Sequence, residues 1–489
     1  MAQKSRIIFR ADGNSRIGLG HVVRSLALAA MLREEFECIF AIQAPDENLQ
    51  QQIKAVCHGS ILLPATSPEE DRFVHELSAY VSEEEIVVLD GYHFNTTYQQ
   101  NLKASGCSLV CIDDIHAYPF VADVVVNMAG GLQAAKYKTA PHTKLLLGPK
   151  YALLRPPFLK AAKSESRFSS DKKQKVLLNL GGADPENHTL AIAQELSKNK
   201  SITSLEIVVG SAYRHLSELK QFIKQQPACK LHQNLDAEAM AQLMQACPVA
   251  VTSASGVAYE YAAIGGILYI KQTAENQAGL YNFLIETGLA SPYRDAAIAF
   301  DPQHFEEKVK LQRAYFDGKS HERFRSVFRN LQLAQKLKLR DVTSDDLLLL
   351  LDWANDPEVR AHSFNPDPIT LENHTRWLTS RLQDKAAKLY IAEIATQPAA
   401  HIRFEVTQQT ATISYLIAKE FRGKGLGHTV LQKGVKKLLG QMPEVRLIEG
   451  LVQPDNIASV RAFEKAGFTY GTPDDHYPTA HRFILEMNK

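Results

Sequence analysis

The stretch IIFRADGNSRIGLGHVVR, residues 7–24, runs from a β-branched apolar segment through a glycine-rich turn into the start of an alanine- and leucine-rich helix, residues 20–32. A short, continuously apolar strand followed directly by a helix is how a parallel sheet covered on both faces begins. The same alternation continues downstream. Ile86–Asp90 and residues 109–113 read as buried strands closed by an acid, and Val124–Asn127 as another. After Arg155-Pro156-Pro157 the polar segment 160–175 reads as a linker. The pattern then resumes, with strands at 176–179, 205–209, 249–252 and 267–270 and helices near 237–246 and 257–264. The charged helical stretch 303–335 is expected to cap this second unit. The prediction is an α/β chain with two Rossmann-like lobes, residues 1–157 and 158–335, whose ligand lies at the C-terminal ends of the strands. A third unit spans residues 336–489.

Composition narrows the classes of function. The 489 residues carry 55 basic and 54 acidic side chains, a net charge of +1, which argues against a dedicated nucleic-acid binder. Hydrophobic residues make up 45%, ordinary for globular domains. The longest aliphatic run, residues 347–351, is too short to span a membrane, and the apolar patch 7–9 is too short for a signal peptide. Six cysteines without a CxxC pair do not make a disulfide scaffold. A reduced, cytoplasmic protein is the expectation.

In the first turn, Gly18 and Gly20 allow backbone to approach a ligand, and the helix behind them offers free N–H groups to an anion. A dinucleotide fingerprint would need glycine at Val23, so a nicotinamide cofactor is disfavoured. His21 stands at the helix start, where the dipole favours a neutral imidazole able to act as a general base. A histidine that merely caps the helix or packs is the other reading. In the second lobe, Ser253, Ser255 and Gly256 form a small-residue turn before a helix, an anion cradle by the same physics. Glu260, one turn on, can accept from ribose hydroxyls or be a solvated helix charge. Asn276 and Gln277 offer amides to sugar or phosphate oxygens. Asp113, Asp114 and His116 lack further ligands at metal spacing, so no metal is expected.

Asp12, Gly18-Leu19-Gly20-His21 and Arg24, followed by Ser25-Leu-Ala-Leu-Ala, resemble the opening motif of the nucleotide-sugar hydrolase family of pseudaminic acid biosynthesis. The likeness continues through residues 148–158, 181–184 and 253–256. It implies the two-lobed GT-B architecture and hydrolysis of UDP-2,4-diacetamido-2,4,6-trideoxy-β-L-altropyranose without a metal. It also implies a catalytic His21, a site lined by Tyr92, ribose binding by Glu260 and substrate contact by Asn276.

A second glycine-rich turn lies near the other end. Arg422-Gly423-Lys424-Gly425-Leu426-Gly427 follows a predicted strand ending at Ile417 and precedes a helix expected at 429–439. Alternate glycines expose successive N–H groups that can wrap a pyrophosphate, with Arg422 and Lys424 adding charge. With Asn456, Ser459 and the ending Gly467-Phe468, this pattern resembles the GNAT acetyltransferase superfamily, an α+β fold that uses acetyl-CoA. Phe463 stands where many relatives carry a tyrosine acid, which leaves Tyr470, Tyr477 or water for that role. Glu405 and His401 are options for the base. Together the two resemblances imply a bifunctional enzyme. It would acetylate the 4-amino group of a UDP-amino sugar and then release UDP from the product. A GT-B glycosyltransferase, or a protein-directed acetyltransferase with a nucleotide-sugar-sensing front half, are the alternatives. Neither nucleic acid nor membrane is an expected partner.

Overall fold

The computed structural model describes residues 4–13, 19–163, 174–293 and 301–487. Its first sheet has seven strands: β1 (Arg6–Ala11), β2 (Glu37–Gln43), β3 (Gly59–Leu63), β4 (Ile86–Asp90), β5 (Ser108–Ile112), β6 (Val124–Asn127) and β7 (Lys144–Leu147). They run in the order β3-β2-β1-β4-β5-β6-β7, all parallel. Ile7, Ile8 and Phe9 have no exposed surface, as a central strand with apolar residues on both faces requires. Burying each such side chain contributes about 1.5–3 kcal/mol. The winding direction reverses between β1 and β4. Their register sets Ala11 beside Asp90, so the turn after β1 opens onto the end of β4.

The second sheet has the same plan. It comprises β8 (Gln174–Asn179), β9 (Ile202–Val209), β10 (Cys229–Gln233), β11 (Val249–Ser253), β12 (Ile267–Lys271) and β13 (Ser291–Pro292). The order is β10-β9-β8-β11-β12-β13, again parallel, with the reversal between β8 and β11.

The segments between the sheets differ from the sequence reading. Residues 160–162 belong to the helix Pro156–Ala162, whose Phe158 and Leu159 are buried, and 164–173 lie outside the described residues. Stretch 303–335 is two helices with different partners. Pro302–Tyr315 does cover the second lobe, where Gln312 bonds the backbone of Gly266 and Leu289. Ser320–Lys336 instead returns to the first lobe. Phe328 packs edge-on to Phe36, Arg325 donates to Met31 O, and Arg329 forms a two-point ion pair with Glu35. Composition marked this segment as helical but could not say which surface its apolar stripe, Phe324, Val327 and Phe328, would cover.

That helix leads directly into the third sheet: β14 (Leu337–Asp341), β15 (Ala387–Ile394), β16 (Gln397–Thr407), β17 (Thr410–Ile417), β18 (Leu447–Val452), β19 (Thr469–Tyr470) and β20 (His481–Glu486). The order is β14-β15-β16-β17-β18-β20-β19, antiparallel except for β17 beside β18. That parallel pair is in register only over Thr410–Thr412 and then diverges, which opens a cleft between the two strands. Gln335 Nε2 donates to Glu85 O at 2.5 Å, next to the start of β4 and at the opposite end of that strand from Asp90.

Candidate functional sites

In the first lobe, His21 and Arg24 lie one turn apart on the helix Gly20–Leu32 and project toward the end of β4. His21 Nδ1 is 2.7 Å from Asp90 Oδ1. Arg24 donates from Nε to Asp90 Oδ2 at 2.7 Å and from Nη2 to Asp90 Oδ1 at 2.6 Å, and Ser25 Oγ donates to Oδ2 at 3.2 Å. Asp90 is fully buried. With Asp90 accepting at Nδ1, the lone pair of a neutral imidazole would sit on Nε2, and Arg24 Nη2 also lies 3.1 Å from Nδ1. Nε2 has no hydrogen-bond partner among the described residues, and the ring keeps 15% of its surface exposed. Tyr92 meets it edge-on with centroids 4.8 Å apart and donates to Asp114 at 3.4 Å. Arg24 Nη1 also donates to Asp114, at 2.9 Å. Burial works to lower the Arg24 pKa, but the two carboxylates outweigh it and raise it, so this guanidinium is a permanent charge beside the ring.

Asp12 has a supporting role. It lies 2.7 Å from the buried Arg10 guanidinium and accepts from the Gln43 backbone, which ties down the start of the loop. Gly20 is the first residue of the helix, and Gly18 lies outside the described residues. Asp113 is a structural residue. It accepts from the backbone of Ile115 and His116 and from Tyr137 Oη. Among the described residues no group of three or more His, Cys, Asp or Glu side chains is placed to hold a metal.

The second lobe presents its cradle at the matching place. Ser253 Oγ and Ser255 Oγ are 2.9 Å apart at the end of β11. Ser255 caps the helix Gly256–Ile264 without a side-chain bond to it, so the first N–H groups stay available to an anion. Gly181, with φ of 96°, brings the turn after β8 beside Ser253. Two expectations fare differently here. Both carboxylate oxygens of Glu260 are engaged by Arg155, at 2.9 and 3.0 Å, a pairing the sequence reading did not foresee. Gln277 turns back on its own loop, where its carbonyl accepts from Thr273 N at 2.8 Å. Its carbonyl is therefore committed to fixing the turn. Asn276 lies in the short helix Glu275–Gln277, and its side chain falls outside the described residues.

The C-terminal edges of the two sheets meet. Gly130 N, just past β6, donates at 3.1 Å to Tyr259 Oη on the helix that starts at β11, and Tyr259 donates on to Met128 O at 3.2 Å. A Cβ on Gly130 would lie 2.1 Å from the Phe283 ring, so only glycine permits this approach. The two lobes are thus in contact beside the ends of β6 and β11.

The C-terminal cleft, about 1390 Å³, lies where β17 and β18 splay. Gly423 and Gly425 have φ of 73° and 74°, the alternating backbone that turns successive N–H groups to one side. The helix Gly427–Gln441 begins two residues earlier than the sequence suggested and has no side-chain cap. Leu426 is buried and anchors the turn from below. Gly427 lets the helix Ile457–Lys465 approach, since a Cβ there would sit 2.9 Å from Ala462. The Arg422 guanidinium donates to Ile417 O, Glu358 and Asp356 at 3.0, 2.8 and 2.8 Å, partners that the sequence reading did not foresee and that brace the turn. Lys424 lies over the Phe421 ring. Asn456 caps its helix by accepting from Ser459 N at 3.0 Å. Phe463 is buried against Tyr415, Phe468 and Phe483. Tyr470 Oη bonds Glu464, and Tyr477 packs against Phe364 at a tilt, ring centroids 4.2 Å apart. Tyr415, which the sequence reading passed over, lines the cleft with its hydroxyl bonded to Ser459, and burial pushes its pKa up to about 12.

With this geometry in view, comparison with known proteins is specific. Residues 336–469 match the acetyltransferase (GNAT) domain family. An uncharacterized protein of Methanocaldococcus jannaschii is 25% identical over 95% of this chain and 96% of its own length. The UDP-2,4-diacetamido-2,4,6-trideoxy-beta-L-altropyranose hydrolase of Campylobacter jejuni is 28% identical over 59% of this chain and 99% of its own length. An aminoglycoside N(6')-acetyltransferase of Serratia marcescens is 26% identical over 35% of this chain and 89% of its own. A crystal structure of an aminoglycoside acetyltransferase with coenzyme A matches at a TM-score of 0.28 and 25% identity, covering 31% of this chain and 94% of that one. The chain therefore joins a hydrolase-like front region to a C-terminal GNAT acetyltransferase domain, and it is an enzyme.

Asp90 is the front-site residue that the sequence reading did not assign to the site, and Asp114 was weighed there only as a metal ligand. The available signal was the acid that closes the strand Ile86–Asp90, on the strand next to β1.

Proposed function

We propose that the chain catalyses two consecutive steps on one UDP-linked diamino sugar of pseudaminic acid biosynthesis. The C-terminal domain transfers acetyl from acetyl-CoA to the 4-amino group. The front lobes, in a GT-B arrangement, then hydrolyse the UDP-2,4-diacetamido-2,4,6-trideoxy-β-L-altropyranose product. The observation that carries the reading is the His21–Asp90 pair at the reversal point of the first sheet, with Nε2 unpartnered among the described residues. The C. jejuni hydrolase, aligned along 99% of its length, supports the choice of substrate.

In this reading Asp90 holds the Nδ1 proton and His21 Nε2 takes one from water. The resulting oxygen attacks the anomeric carbon, and the bond to the diphosphate breaks with inversion. The leaving UDP carries the negative charge. Ser253, Ser255 and the N–H groups of the helix from Gly256 receive it. Glu260, held by Arg155, retains lone pairs for ribose hydroxyls. At the other site, the N–H groups of the 423–427 turn hold the coenzyme pyrophosphate. Tyr415, protonated at neutral pH, supplies the acid that Phe463 cannot.

The test is incubation of the UDP-diacetamido sugar with purified protein, reading free UDP and the released sugar by mass spectrometry. Loss of UDP release in His21→Ala is expected. Undiminished release by that variant, or sugar appearing only when an acceptor is added, would remove the hydrolytic mechanism.

A further inference from the structure

The C-terminal cleft has a second half, away from the glycine turn, formed by the helix Leu371–Gln383 and the strand β16. Arg403 projects into it from β16. Its guanidinium lies over the Trp377 ring, 5.3 Å from the centroid, and forms no hydrogen bond or ion pair with any described residue. Glu405, the carboxylate that acts on it from a distance, is 3.3 Å from Arg381. His374 and His401 line the same wall, and the Nε2 atom of each is buried without a partner. Burial and the neighbouring Arg403 lower both imidazoles, His401 to about 3, so neither counters the guanidinium with a partner of its own.

The carboxylates of this cleft are placed elsewhere. Glu358 is bound to Arg422, while Asp367 and Asp455 are exposed. A cleft built for a polycationic amine would set acids where Arg403 stands, because an unpaired guanidinium repels an ammonium group and costs desolvation energy with no return. A planar fork that lies over an indole, lines the cleft and has no protein partner among the described residues matches the oxygens of a phosphate.

We propose that the acceptor half of this cleft selects an anionic amine, an amino sugar bearing a phosphate or diphosphate, and that Arg403 grips the phosphate oxygens. The inference rests on the reading of the C-terminal domain as acting on a nucleotide-linked amino sugar, and it assigns the group that recognises the nucleotide's charge. Arg403 is a specificity residue. It binds the acceptor and takes no part in proton transfer.

The experiment follows thiol release from acetyl-CoA by the full chain with three acceptors: the UDP-linked 4-amino sugar, the same sugar without UDP, and glucosamine 6-phosphate. In Arg403→Gln, KM for the UDP-linked acceptor is expected to rise about 10- to 150-fold, the range of a hydrogen bond to a charged group. Its kcat and its KM for acetyl-CoA stay unchanged, which also reports an intact fold. Arg403→Lys recovers part of the loss. UDP alone competes with the acceptor in the unaltered protein and not in Arg403→Gln. An unchanged acceptor KM in Arg403→Gln, or equal use of the sugar without UDP, overturns the inference while leaving the two-step reading standing. Arg403-dependent acetylation of glucosamine 6-phosphate, with the UDP-linked sugar refused, sustains the inference and removes that reading.

Discussion

Replacing Asp90 by asparagine tests the front site most sharply, because it keeps the shape of the side chain and changes one atom's chemistry. In the folded protein the carboxylate accepts from His21 Nδ1, from Arg24 Nε and Nη2, and from Ser25 Oγ. Asparagine has a single acceptor oxygen, and Arg24 cannot turn away, since its other arm is held by Asp114 at 2.9 Å. The amide oxygen therefore faces Arg24 and the amide N–H groups face Nδ1. That donor forces the imidazole proton onto Nε2 and removes the lone pair that would take a proton from water. The same exchange in Ser-His-Asp sites costs about 10⁴ in kcat, and a general base contributes about 10²–10⁴. UDP release should fall by about 10²–10⁴ in kcat. Thiol release at the C-terminal site should not change, since Asp90 lies at the far end of β4 from the Glu85 contact with the residues leading into β14. Breaking a buried ion pair costs about 3–5 kcal/mol, and the retained Arg24–Asp114 bond keeps the loss below that, so a thermal melt in parallel checks the fold. UDP release by Asp90→Asn at the unaltered rate, alongside an inactive His21→Ala, would refute the orienting role.

Three further outcomes follow from the C-terminal domain. Gly425→Ala forces a side chain into a positive-φ backbone at a cost of about 1–2 kcal/mol, so KM for acetyl-CoA should rise while the front site still releases UDP. Tyr415→Phe removes the buried hydroxyl and should lower acetyl-transfer kcat by about 10²-fold, with KM for acetyl-CoA little changed in steady-state kinetics. His401 is held neutral to about pH 3, whereas an unfolded histidine titrates near 6.5. The unfolded chain thus binds the extra proton below 6.5, and stability present at neutral pH falls as pH drops toward 3. The loss reaches about 2 kcal/mol by pH 5. Denaturant titrations of His401→Gln should show a shallower loss between pH 6.5 and 5.

The residues that chain-neighbour physics governs were legible in one dimension. Short β-branched apolar runs closed by turn residues, such as Ile7–Phe9 and 249–252, read as buried parallel strands, and the glycines of 423–427 mark a backbone that other residues resist. His21 followed from the same logic, as a titratable ring at a helix start beside a glycine turn. The interactions that set its chemistry did not. Asp90 is 69 residues away, and only the placement of β4 next to β1 brings it to the ring. Arg422 is a second case. Its motif suggests a phosphate ligand, and folding also delivers Asp356 and Glu358 to its guanidinium from 66 and 64 positions away, partners that the local sequence does not announce. The helix Ser320–Lys336 carries an apolar stripe that fits any apolar surface, and packing alone assigned it to the first lobe. Strand and helix identity depend on torsional preference and burial period, which a sequence carries locally. Which charges meet depends on the order in which strands assemble, and that is a property of the whole chain in three dimensions.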